Sequence, residues 1–274
     1  MKALLCICLL AAGSAPAAWS QRLDFSKVTP TDDVALANAL PALAKQVIRA
    51  YTDTTRDGYL NNLFRLQMVA GDFSGAHTTL EKLRTLDETE DSQQSSAMLT
   101  PDELTVGAKL RQSTTGSSFN DAMAVSFRNL FGRLDDKAAS DAIYWLWGPV
   151  WRLHNNVIAA VTKSNAAGEI GLPDALDLIR NYQLYSEYDA LIPLTEALIE
   201  EDDAKRYVIQ RNEQIKTGDG AALCALIVHA KHASGRQPTA LNFTIYAGLN
   251  EMGKARQAAV HGYVGVVAEA RGKG

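Results

Sequence analysis

Through most of the chain apolar residues recur at intervals of three and four, and only in the last quarter does the spacing tighten into alternation and continuous runs. From Val34 onward, Leu36, Leu40, Leu43, Val47 and Tyr51 share one face of a helix, with Asp32 and Asp33 ahead of it as caps. Over residues 57–86 two apolar faces follow each other. Tyr59, Leu63, Leu66, Val69 and Ala70 make the first, and Ala76, Leu80, Leu83 and Leu86 the second. The turn Gly71-Asp72-Phe73 lies between them. Small residues at Ala70, Gly71 and Ala76 let the two helices approach, so the pattern predicts a helical hairpin. Helical spacing returns over 102–134, broken by the Ser/Thr/Gly cluster at 113–118. It continues through 138–163, where Gly148-Pro149 predicts a break, and resumes at Pro173 with Leu176, Ile179, Tyr182 and the run 191–198. Tyr144, Trp145, Trp147 and Trp151 are expected to pack between helices, the alternative being a ligand groove. Residues 21–33 read as a linker, 87–101 as a surface loop, and Glu200-Glu201-Asp202-Asp203 as a solvated boundary.

After Ala204 the period becomes that of strands. Tyr207, Ile209 and Ile215 form one strand, Thr217-Gly218-Asp219-Gly220 supplies hairpin turn residues, and 223–229 form a strand apolar on both faces. Residues 241–245 predict a third strand, 251–260 a helix whose Ala255, Ala258 and Ala259 pack closely on a sheet, and 263–268 a fourth, buried strand. Strands alternating with a helix predict a parallel sheet.

The 274 residues are 47% apolar and 21% charged, an ordinary globular balance. A formal net charge of −4 gives no electrostatic case for nucleic acid or anionic membrane as a partner. Lys2, the apolar run 3–12 and the small residues after it read as a secretory signal over residues 1–20, with cleavage after Ala17 or after Ser20. A buried first helix is the other reading of that run, which is too short to span a bilayer. No later segment predicts a membrane span. Cys6 and Cys8 would leave with the signal, so Cys224 remains alone and no internal disulfide is expected. The expected location is exported, periplasmic or secreted.

Two stretches resemble known families. The run AGDFSGAHTTLEKL resembles one tetratricopeptide-type hairpin, without a second copy at the same period. Residues 207–274 resemble the opening of the CocE/NonD hydrolases, the serine hydrolases that include the Xaa-Pro dipeptidyl-peptidase group. The resemblance rests on the TGDG hairpin, on Phe243-Thr244-Ile245-Tyr246 ending the third strand, and on Gly262-Tyr263-Val264 followed by Arg271-Gly272. The stretches YLNNLFRLQMVAGDF and DDAKRYVI resemble the N-terminal extension of some bacterial members. Glu269 stands where that family more often has Asp. The resemblance implies a mainly α N-terminal helical domain (21–203) followed by the first strands of an α/β-hydrolase sheet (204–274), hence an α/β class. It also implies acyl transfer on a small-molecule ester or peptide substrate, without a cofactor. In that family the tyrosine ending the third strand gives its hydroxyl to the oxyanion, and Tyr246 is the matching position.

The triad such chemistry needs is a serine on a sharp strand-to-helix turn, then an acid, then a histidine. Gly-x-Ser-x-Gly is absent, and Ser117 and Ser118 read as loop serines. His229 and His232 read as surface residues without metal-ligand spacing, His154 as packing and His261 as structural. Nucleophile, acid and base are therefore expected beyond residue 274, and the chain alone is expected to be inactive. The competing expectation is a non-enzymatic helical interaction module built around the hairpin at 57–86.

Overall fold

A computed structural model describes residues 20–21, 29–89, 97–246 and 250–271. Of the signal read at residues 1–20 all but Ser20 lies outside these, as does the centre of the acidic loop. The chain is mainly helical with a small mixed sheet. In order it runs β1 (Ser20–Gln21), α1 (Asp33–Ala50), α2 (Arg56–Ala70), α3 (Phe73–Thr89), α4 (Thr100–Thr115), α5 (Phe119–Phe131), α6 (Asp136–Tyr144), α7 (Val150–Ala167), β2 (Ile170–Gly171) and α8 (Leu172–Arg206). The sheet region follows: β3 (Tyr207–Lys216), β4 (Ala222–Ala230), β5 (Thr239–Thr244), α9 (Glu251–Val260) and β6 (Val264–Glu269). No helix among the described residues is long and apolar enough to cross a membrane.

The helix-spaced residues are those that leave water. Leu36, Leu40, Leu43 and Val47 of α1 are buried against Leu66 of α2, Val157 and Val161 of α7 and Leu178 and Ile179 of α8. Asp32 caps α1, its Oδ1 accepting from the Ala35 N–H at 3.0 Å. Gly71, in the left-handed region at φ 80°, ends α2 and turns the chain into α3, because an L side chain resists that conformation. Helix α4 ends likewise at Gly116, and Ser118 then caps α5, its Oγ accepting from the Asp121 N–H at 3.1 Å. The loop serines are thus engaged in local structure.

A polar network crosses the helical core. Arg65 of α2 donates through Nη1 and Nη2 to the two oxygens of Asp102 on α4, at 2.9 and 3.1 Å. It also donates to Gln183 of α8, whose Nε2 donates to Glu187 at 2.9 Å. All four side chains are buried. Burial, and then the Asp102 carboxylate beside it, push the Glu187 carboxyl well above its ordinary value of 4.5, favouring the protonated form. Nothing in the sequence pairs residues so far apart along the chain.

The aromatic expectation is corrected. Tyr144, Trp147 and Trp151 are 73%, 52% and 71% exposed. Ile143 and Leu146 take the inward positions instead, and the break between α6 and α7 turns the rings outward. Gly148 lets this break seat on α8: a Cβ there would come within 2.7 Å of the Tyr188 ring, whose hydroxyl donates to Trp145 O at 3.0 Å.

The acidic run is corrected as well. Asp202 and Asp203 are 6% and 2% exposed, because α8 continues past them to Arg206 and each meets a guanidinium. Arg206 donates to Asp202 at 2.6 Å, to Asp136 at 3.0 Å, and to the carbonyls of Phe131 and Leu134 at the end of α5. Arg256 of α9 donates to both oxygens of Asp203, at 2.8 and 2.6 Å.

The sheet has order β3-β4-β6-β5 and is mixed, where alternation predicted a parallel one. β3 and β4 form an antiparallel hairpin, β4 and β6 are antiparallel, and only β5 and β6 are parallel. The hairpin turn makes the first pairing antiparallel. Helix α9 lies on one face, over Tyr207, Leu226, Val228 and Val267. Gly265 allows this contact, since a Cβ there would meet Ala255 O at 2.3 Å. On the opposite face Ile227 and Val266 are half-buried, and Leu241 and Phe243 of edge strand β5 stand 64% and 60% exposed.

Two outcomes follow. Glu187 contributes stability that is full below its ordinary pKa and is lost as pH rises towards its elevated folded value. Glu187→Gln should therefore raise the unfolding midpoint at about pH 8 and flatten its pH dependence, as read by thermal scans; an unchanged pH profile would contradict a buried, protonated Glu187. The open sheet face should bind a hydrophobic dye. Leu241→Ser with Phe243→Ser should cut that fluorescence severalfold while circular dichroism stays unchanged.

Candidate functional site

Tyr246 follows β5 at the edge where the parallel strands β5 and β6 end. Its N–H donates to Thr244 Oγ1 at 3.0 Å. The ring is 64% exposed, and its hydroxyl makes no hydrogen bond among the described residues. At the same edge Ala270 N donates to Thr244 O at 2.9 Å, tying the exit of β6 to that of β5. Arg271 forms an ion pair with Asp219 of the hairpin turn. Hydrogen bonds from Thr217 and Arg271 hold the Asp219 carboxyl below its ordinary value. The TGDG turn, the strand ending in Tyr246 and the Arg271 motif, separate in sequence, thus meet at one end of the sheet.

Glu269 ends β6 within hydrogen-bond reach of Glu251 in the first turn of α9, and this like-charged neighbour raises its pKa. Asn250 precedes α9 in the left-handed region at φ 56°. No group of three His, Cys, Asp or Glu arranged to hold a metal is found among the described residues.

The histidines form no triad. His229 Nδ1 lies 3.2 Å from its neighbour's carbonyl, Ala230 O. His154 stacks on Tyr185 with ring centroids 4.5 Å apart, and its Nε2 lies 3.2 Å from Asp33 Oδ1. Tyr185 donates to the other Asp33 oxygen at 2.8 Å. No serine or cysteine hydrogen-bonds to a histidine among the described residues, and the contacts of His154, Asp33 and Tyr185 join α1, α7 and α8.

A cleft of 1150 Å³ lies between the helical region and the sheet; a groove at the aromatics was the alternative sequence reading, but its walls from α8 and α9 were not anticipated. Ile143, Tyr144 and Trp147 line one wall, Glu196 and Glu200 of α8 another, and Asn250 to Lys254 of α9 the third. Two contacts hold the walls together. One is Arg256–Asp203, 5% and 2% exposed; the other is Gln257 Nε2 donating to Ser140 Oγ at 3.2 Å. Burial raises the Asp203 pKa, and the Arg256 guanidinium opposes that rise. A second groove, of 500 Å³, runs between α3, α4 and α5, with Arg84, Arg111 and Arg133 along it. The exposed aromatics around the break at 148–149 were the available signal for the larger cleft. Its opposite wall comes from residues a hundred positions later.

Compared with known proteins, the chain matches no family model, no curated protein and no solved structure.

Removing one partner of the Asp203–Arg256 pair strands a buried charge. Asp203→Ala is therefore expected to lower stability by about 3–5 kcal/mol in urea unfolding. A loss below about 1 kcal/mol would place the pair in water, against its burial.

Proposed function

We propose that this chain is the N-terminal part of an exported serine hydrolase that transfers the acyl group of an ester or peptide substrate, with Tyr246 as an oxyanion donor. The observation that carries the reading is the strand order β3-β4-β6-β5 and its directions. An antiparallel hairpin opens the sheet. A strand, a helix and a parallel strand follow, and the last strand inserts between hairpin and third strand. An α/β-hydrolase sheet begins in this way. Three further features support it. The TGDG turn, Tyr246 and Arg271 lie together at the strand ends where such sheets place their sites, while Gly262-Tyr263-Val264 opens β6 at the other end. Tyr246 is exposed at its strand end, and its hydroxyl makes no hydrogen bond among the described residues. Finally, the apolar face carrying Leu241 and Phe243 suits a sheet that is covered on both sides in its complete form.

In this mechanism a serine, activated by a histidine that an acid orients, attacks the carbonyl carbon. The carbonyl oxygen becomes an oxyanion, and Tyr246 O–H donates to it. A donor aimed at charge that develops only in the transition state lowers the barrier without tightening ground-state binding. The reading assigns serine, acid and histidine to polypeptide following residue 274 in a longer protein, and export to the signal-like residues 1–20.

The test is p-nitrophenyl ester hydrolysis by the 274-residue chain and by the protein encoded by the extended reading frame. The shorter chain should show no activity above background and the longer one should turn over. Tyr246→Phe in the longer protein should lower kcat by about 10²–10³ with little change in KM. Activity in the shorter chain, or a Tyr246→Phe enzyme with unchanged kcat, would refute the assignment.

A further inference from the structure

The 1150 Å³ cleft is lined by two kinds of surface. Its floor is apolar, from Ile143, Leu226 and Met252, and its rim carries the exposed rings of Tyr144 and Trp147. Most charges along it are already answered within the protein. Asp203 holds Arg256 in a buried two-bond pair, and Arg211 lies 3.6 Å from Glu200. Apolar contact and ring stacking are therefore the recognition its floor and rim offer, with Glu196 and Lys254 as further charges along the wall. The size fits a small molecule, and the concavity sets Tyr144 and Trp147 apart from Trp151, which is also exposed but outside the cleft.

Position ties the cleft to the sheet edge. Asn250, on its wall, is four residues from Tyr246, a span of at most about 14 Å of chain. We propose that the cleft binds a planar aromatic group of the substrate, with Trp147 and Tyr144 as its stacking partners, so that the helical region determines specificity. This rests on the hydrolase reading for the word substrate. The binding itself does not, and it needs no nucleophile. Stacking of an aromatic ligand on Trp147 gains attraction beyond buried area alone, which a saturated ring of similar size would lack.

The experiment is equilibrium binding of 2-naphthol to the 274-residue chain, followed by the anisotropy of the naphthol fluorescence. Saturable binding is expected. Trp147→Ala should weaken it about tenfold and Tyr144→Ala severalfold, while Trp151→Ala leaves it unchanged and circular dichroism shows all three folded. Phenol should displace the probe at lower concentration than cyclohexanol. Absence of saturable binding, equal affinity in Trp147→Ala, an equal loss in Trp151→Ala, or equal displacement by cyclohexanol would each overturn the proposal. None of these outcomes involves turnover, so a failed cleft is distinguishable from a failed hydrolase assignment, which shows only in the ester assay.

Discussion

Charged side chains withdrawn from water at the last turn of α8 decide how the two regions of this protein meet. Asp202, Asp203 and Arg206 sit where a 35-residue helix passes directly into strand β3. A buried carboxylate persists only with a partner that satisfies it. Asp203 finds its partner on α9 of the sheet region, and Arg206 finds Asp136 and the terminal carbonyls of α5 in the helical region. The α8 terminus is thereby clamped from both sides. The Lys231 N–H donates to Arg206 O at 2.9 Å, so the sheet is also held through the backbone.

The cleft follows from this clamp. Because α9 is fixed by Arg256 and Gln257, its first turn stands opposite Tyr144 and Trp147 instead of folding against them. The aromatic rings remain exposed at a break that is seated on Tyr188 through Gly148. The sheet is ordered on its α9 face by close contacts at Gly265 and Ala255, and it is open on the other. Packing is thus concentrated on one side, and the apolar residues Leu241 and Phe243 of the other stay exposed.

Much of the fold was legible because it depends on local period. Leu36, Leu40, Leu43 and Val47 repeat every three or four residues, and Gly71 and the TGDG turn use backbone conformations few other residues tolerate. The illegible parts are those where burial is decided by a distant partner. Asp203 looks solvated in sequence because its guanidinium, Arg256, arrives from α9, and Asp202 because Arg206, one turn on, is itself drawn in by Asp136 and the Phe131 carbonyl. Arg65, Asp102, Gln183 and Glu187 show no common pattern because they lie on three helices. Trp147 is as hydrophobic as any core residue, yet its place at a helix corner sets its exposure. Tyr246 was reached through resemblance alone, whereas the cleft beside it required residues near 145, 200 and 252 to be seen together.

If the clamp at the end of α8 makes helical region and sheet one cooperative unit, heat should unfold them together. Differential scanning calorimetry of the 274-residue chain is the direct test. A single transition is expected, with calorimetric and van't Hoff enthalpies equal. Two resolved transitions, with the sheet melting separately from the helices, would contradict the account.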